Sequence, residues 1–254
     1  MKIHFLGTGT SQGIPVIGSN HEVCQSLNPK DKRLRVSIWI KWEETSIVID
    51  CGPDFRQQML TCECQKIDAI LFTHEHADHT AGLDDIRPFF YKQGNIPIYA
   101  HQRVLKNLKK RFDYIFEEDN KYPGAPGVSE FEIRNNFDFT IQNKKIVPID
   151  LLHGNLQVFG YRFADFAYLT DVKTISEQEI LKLQNLEVLV INALRLEPHN
   201  THFNLKEALE FIQLVAPKKA YLTHISHVMG FHEKIQENLP ENVFLAYDNL
   251  IISL

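Results

Sequence analysis

The chain has 254 residues, 44% of them hydrophobic, and a formal net charge of −5. That length supports a sizeable core in one large domain. The charge excludes a broad basic face for a nucleic-acid backbone, leaving only a local cluster at Lys106, Lys109, Lys110 and Arg111, with Glu117, Glu118 and Asp119 close behind.

No segment approaches the ~20 apolar residues of a membrane span. The opening MKIHFLGTGTSQG has one lysine and a short apolar stretch, which is not the build of a signal peptide. Four cysteines, Cys24, Cys51, Cys62 and Cys64, do not make a disulfide framework in a chain this long. The simplest reading is a cytoplasmic protein with reduced thiols. The Cys62–Cys64 pair could bind metal, but ordinary free thiols are the plainer reading. Twelve histidines are many for this length, and histidine is both a common metal ligand and an acid–base group.

In chain order, KIHFLG predicts a strand followed by a glycine loop. RVSIWIKW alternates, TSIVID ends at Asp50, and DAILFT runs apolar until His74. IPIYA continues the series. Residues 102–117 carry apolar positions near 104, 105, 108, 112 and 115, the spacing of a helix. Residues 120–129, NKYPGAPGVS, form the most turn-rich stretch. KKIVPIDLL, VFGYRF and FAYLTD read as strands. ISEQEILKLQ opens a helix at Ser176, with a capping box from Ser176 and Glu179. EVLVINAL is a strand. Asn204 caps a helix over 205–215 that stops before Pro217, and KAYLTHIS and VFLAYDNLIISL close the chain as strands. Many strands with interspersed helices predict an α/β (α+β) layered domain spanning 1–254. A helical excursion at 102–127 either walls a pocket or makes a homodimer contact.

The stretch LFTHEHADHTAG places His74, His76, Asp78 and His79 within six positions. Nothing structural requires four such groups in a loop, and buried without partners they would be costly. Three other predicted strands also end on donor-type residues, at His153, Asp171 and His224. Imidazole and carboxylate together suit zinc, iron or manganese. Seven donors are too many for one open catalytic ion. Two ions ~3.5–4 Å apart, sharing one carboxylate, would use them all.

THEHADHTAG resembles the T-H-x-H-x-D-H-x-x-G signature of the metallo-β-lactamase superfamily, and His153, Asp171 and His224 follow in the order of its remaining ligands. The resemblance covers essentially the whole chain. It implies a four-layer αββα sandwich with a dinuclear site at one edge, with His74, His76 and His153 on one metal and Asp78, His79 and His224 on the other. Asp171 would bridge, and Asp50 would orient the site from behind. Zinc is the first expectation, with manganese or iron as alternatives. The superfamily's true β-lactamases lack an equivalent of Asp171, and its flavodiiron branch has glutamate at the place of His76.

GTGTSQGIPVIG, IDCGPDFRQQ, GLDDIRPF and LTHISH resemble the phosphoribosyl 1,2-cyclic phosphate phosphodiesterase group; tRNA 3′-processing endonucleases are more distant relatives. The glycines at 7, 9 and 13 do not fit a Rossmann motif and read as a tight loop bordering the cleft. That resemblance implies a hydrolase for a small cyclic or nucleotide-like phosphodiester, with nucleic acid not expected as a partner. Two divalent ions outweigh the charge of Asp78 and Asp171, which favours an anionic substrate, and they would activate the attacking water. Asp78 serves the reaction as a ligand. His202 matches a histidine that the branch turns on the scissile phosphate, so it is the expected proton donor. His199 is taken as surface, and His4, His101 and His232 as ordinary polar groups. The group also carries three cysteines and a distant histidine for a structural zinc. Here the matching positions are Ser19, His21, Cys24 and His227, so His21, Cys24 and His227 could at most form a three-residue site. A tRNA-processing nuclease, another ester or thioester hydrolase of the superfamily, and a non-catalytic metal-binding protein are the rival readings.

Overall fold

The computed structural model describes residues 1–254 except 118 and 120, so Glu118 of the acidic run and Asn120 of the turn-rich loop lie outside the described residues. Among the described residues, the β-branched runs assemble into two sheets. In the first, the strands lie in the order Ile251–Ser253, Lys2–Gly7, Ser37–Trp42, Thr45–Ile49, Ala69–Leu71, Ile96–His101 and Val128–Ile133. In the second, the order is Thr174–Ile175, Lys144–His153, Leu156–Phe163, Phe166–Leu169, Val188–Asn192, Lys219–Thr223 and Val243–Leu245, with Phe139–Ile141 also paired to Lys144–His153. Each sheet is antiparallel on one side and parallel on the other.

Alternation decides the layers. Ile3, Phe5, Ile38, Ile40, Ile47 and Ile49 point inward from the first sheet. They meet Phe159, Tyr161, Phe163, Tyr168 and Val190 of the second, all fully buried. The outer face of the first sheet is covered by helices through Phe55, Met59, Phe89, Val104, Leu105 and Leu108. Leu183, Ala208, Phe211 and Ile212 do the same for the second. The result is a helix–sheet–sheet–helix sandwich, as expected. Tyr161 joins the two sheets by donating its hydroxyl to the Phe72 carbonyl at 2.6 Å, two residues before the histidine-rich loop.

The expected helix over 102–117 is two helices, Gln102–Arg111 and Asp113–Phe116, because Phe112 leaves the helical region at φ −130°. Val104, Leu105, Leu108 and Ile115 of these helices are buried against the first sheet. Part of the basic cluster is also committed within the fold, with Lys109 paired to Glu130 at 2.9 Å. Ser176 caps Glu177–Leu181 by accepting from the Glu179 amide. The return half of that capping box is absent, since the Glu179 carboxylate accepts instead from the Asp150 amide and from Lys182. The final apolar run splits into two strands, one in each sheet. No helix among the described residues is long and apolar enough to cross a membrane.

Leu205–Val215 has the full reciprocal cap, with the Asn204 side chain accepting from the Glu207 amide and the Glu207 carboxylate accepting from the Asn204 amide, both at 2.9 Å. Asn204→Ala should therefore lower stability by about 1 kcal/mol, read as a fall of about 2–4 °C in the thermal midpoint. An unchanged midpoint would mean the cap carries no net stability.

Candidate metal centre and active site

The strands that carry the donor residues end at the same edge, and the residues at or just past their ends face one another. Asp50 follows Thr45–Ile49, His74 follows Ala69–Leu71, His153 ends Lys144–His153, Asp171 follows Phe166–Leu169 and His224 follows Lys219–Thr223. Three of these, Asp50, Asp171 and His224, have left-handed backbones with φ of 64°, 57° and 55°. For residues other than glycine this costs on the order of 1 kcal/mol or more each. Hydrogen bonds hold them there. The Asp50 amide donates to Leu71 O at 2.9 Å, the next amide after Asp171 donates to Asn192 Oδ1 at 2.7 Å, and the next amide after His224 donates to Thr8 O at 2.9 Å. Asn192 went unnoticed in the sequence because its role is a side-chain grip on a loop 20 residues away.

The loop 74–82 lies directly on the Ile49–Gly52 turn. The Cys51 amide donates to His79 O at 2.8 Å and the Gly82 amide to Cys51 O at 2.9 Å. A Cβ on Gly52 would stand 2.1 Å from the Asp78 carbonyl oxygen. Only glycine permits that approach.

Asp50 is fully buried. Its carboxylate accepts from the Thr73 amide (2.8 Å) and hydroxyl (2.9 Å) and contacts His79 Nδ1 at 2.7 Å. That contact turns His79 Nε2 toward the centre of the cluster. With its proton given to Asp50, the Thr73 hydroxyl accepts from His74 Nδ1 at 3.0 Å, which leaves His74 Nε2 with a free lone pair. His153 Nδ1 donates to Thr201 O at 2.8 Å. Each of these imidazoles is thus aimed by a bond from its outer nitrogen.

All seven expected donors are brought together. The nearest donor atoms of His74, His76 and His153 lie within 4.8 Å of one another, as do those of Asp78, His79 and His224. Asp171 groups with His74 and His79, and also with His153 and His202. His79 Nε2 is 3.2 Å from Asp78 Oδ2 and 3.3 Å from Asp171 Oδ2, while His224 Nε2 is 3.2 Å from Asp171 Oδ1.

The donor set fits divalent cations. His79 Nε2 and both ring nitrogens of His224 are buried without a hydrogen-bond partner. His74 Nε2 faces His76 Nδ1 at 2.9 Å. Burial lowers the pKa of His74 well below the ordinary histidine value, with the nearby His79 adding to the shift. Burial works the same way on His79, yet Asp78, Asp50 and Asp171 override it and hold that imidazole well above the ordinary value. Positive charge at this point is what the surrounding carboxylates select.

His202 is buried at the edge of the cluster. Its Nε2 lies 2.9 Å from Asp171 Oδ1, and its ring stacks on His224. Burial pushes its pKa down to about 4 against the opposing pull of Asp171. His199 was expected at the surface. It is partly exposed and also contacts His202, Nδ1 to Nδ1 at 3.1 Å, with Thr201 Oγ1 between them. His21, Cys24 and His227 are not among the converging donor groups of the described residues, although the His21 and His227 rings pack edge-on with centroids 5.0 Å apart. His21 Nδ1 accepts from the Val23 amide and caps a short helix, and Cys24 Sγ accepts from the Val16 amide in a small apolar cluster. Among the described residues, the converging donor groups all belong to the cluster above. Cys62 and Cys64 are free thiols bonded to backbone carbonyls, and burial pushes the Cys62 thiol up to about 11. His4 and His232 are buried outside the cluster, consistent with ordinary roles.

Asp50→Asn should release the orientation of His79 and weaken zinc binding about 10–100-fold, measured by competition with a chromophoric chelator. Equal affinity in variant and wild type would show that Asp50 does not aim the site.

Residues 45–225 match the family model described as a beta-lactamase superfamily domain. A solved structure of a diphosphatase from the PhnP family superposes with a TM-score of 0.93 at 36% identity, over 100% of this chain and 97% of that one. A protein named octanoyltransferase, from Porphyromonas gingivalis, is 37% identical over 252 residues, which is 98% of this chain but 51% of that protein. Ribonuclease Z of Bacillus subtilis is 26% identical over 191 residues, 73% of this chain and 55% of that one. The chain thus spans about half the length of these two curated relatives. Fold, signature and similarity agree: this chain belongs to the metallo-β-lactamase superfamily of hydrolases and is PhnP-like within it.

Proposed function

We propose that the protein is a metal-dependent phosphodiesterase acting on a small cyclic or nucleotide-like phosphodiester. The observation that carries this reading is the pair of donor trios converging on a shared Asp171. His74, His76 and His153 would hold one divalent ion and Asp78, His79 and His224 the other, with zinc first and manganese or iron as alternatives. Bound there, such ions supply an activated water near neutral pH and positive charge against phosphoryl oxygens. The protein's own part is alignment. Asp50, Thr73 and Thr201 fix the imidazoles from behind. His202, whose Nε2 lies beside Asp171, would turn that nitrogen to a phosphoryl oxygen and pass a proton to a leaving alkoxide.

A second reading, a tRNA 3′-processing nuclease, draws on the ribonuclease Z relative. The sequence has no long basic, glycine-rich arm to grip RNA, and its net charge is −5. The octanoyltransferase relative carries as much again of its length beyond the match, so its named activity does not attach to this half by similarity alone.

Purified, metal-loaded protein should cleave bis(p-nitrophenyl) phosphate and lose that activity on dialysis against a chelator. Asp78→Ala and His76→Ala should each reduce it to background. Strong thioester hydrolysis with no phosphodiester cleavage would overturn the proposal, and efficient trimming of precursor tRNA would promote the second reading.

A further inference from the structure

We propose that the Gln102–Arg111 helix is a strut that positions the His74–His76–His153 half of the metal cage, through Arg103 at its start and Arg111 at its end. This rests on the reading of that trio as one ion's half-site.

Glu75 sits between His74 and His76. Arg103 grips its carboxylate with two teeth, Nε to Oε1 at 2.7 Å and Nη2 to Oε2 at 3.1 Å. The same Nη2 also donates to the carbonyl of Gln157. Gln157 lies opposite Leu152 in the hairpin whose next pair is His153 and Leu156. One guanidinium therefore ties the segment carrying two donors to the hairpin carrying the third. Arg111 works from the other end of the helix. Its Nη1 donates to Thr80 Oγ1 at 2.6 Å and to Glu75 O at 3.3 Å, and Thr80 Oγ1 in turn donates to His76 O at 2.9 Å. The helix is itself fixed. Val104, Leu105 and Leu108 are buried against the first sheet, and His101 Nδ1 accepts from the Arg103 amide at 3.1 Å. Arg103 holds Glu75, between two donors of the trio, and the hairpin that carries the third, whereas the nearest approach to the other half-site is Arg111 on Thr80, beside His79.

Magnitudes separate positioning from mere stability. The Arg103 and Glu75 side chains are 35% and 15% exposed. A partly exposed ion pair contributes little to folding, whereas loss of a group that orients metal ligands typically weakens binding about 10–100-fold. A lysine at 103 would keep the charge but not the two-toothed geometry or the simultaneous reach to Gln157.

The test is a zinc titration of metal-free protein against a chromophoric chelator, reading ions per chain and the affinity of each step, beside a thermal melt. The proteins are wild type, Arg103→Met, Arg103→Lys and Glu75→Gln, with His153→Ala marking which step belongs to the trio. Wild type should take up two ions. The three strut variants should weaken the His153-dependent step about 10–100-fold, leave the other step unchanged and melt within a few degrees of wild type, with lysine giving no more than partial recovery. Unchanged affinities at both steps would overturn the strut, as would equal weakening of both steps. A wild type that binds fewer than two ions would instead overturn the two-ion reading, and the strut would fall with it.

Discussion

The structure depends on one electrostatic constraint: Asp50, Asp78 and Asp171 put three carboxylates around the buried imidazole of His79. Removing charge from water is expensive unless it is paired. Here the pairing is reciprocal, since the carboxylates make positive charge favourable at a point where burial alone would forbid it. Asp50 is satisfied outwardly by Thr73, so its role is to aim. Asp78 and Asp171 keep oxygens facing inward, toward nitrogens that have no other partner. A cage of this kind is unstable as a set of loose loops and needs a rigid frame.

The two sheets provide it. Because the donor-bearing strands of both sheets end at one edge, side chains from distant segments arrive there without long loops. Left-handed residues at Asp50, Asp171 and His224 end the strands at the donors themselves, and backbone bonds to neighbouring segments hold that local strain. Gly52 and Gly82 let the turn after Ile49 and the histidine-rich loop touch backbone to backbone. Tyr161 ties the second sheet to Phe72, two residues before that loop. Fold energy and site geometry therefore share the same contacts, and the outer helices contribute to both.

What could be read from the sequence divides along physical lines. The apolar strand runs were legible because β-branched alternation survives in a core, and the 205–215 helix was legible because Asn204 and Pro217 mark its ends. The strands at Val128–Ile133, Phe139–Ile141 and Thr174–Ile175 were missed: they are short or polar segments at the margins of their sheets. The break at Phe112 was hidden because the apolar spacing continues through it. At the site, crowding betrayed His74, His76, Asp78 and His79, and position after a strand betrayed His153, Asp171 and His224. Glu75 with Arg103, His199 with His202, and Asn192 with Val172 left no such trace. Each pairing exists only once the chain has folded, and no spacing rule encodes it. His21, Cys24 and His227 lie near one another in the fold, with His21 and Cys24 also accepting from local backbone amides and the His21 ring packed on His227.

The central claim is that seven side chains from both sheets enclose two cations around Asp171. Crystals of zinc-loaded protein, measured by anomalous scattering at the zinc edge, address it directly. Two peaks are expected. One should lie about 2.0–2.2 Å from nitrogens of His74, His76 and His153 and the other at like distance from Asp78, His79 and His224, with Asp171 reaching both. A single peak, or peaks outside this cage, would contradict the account.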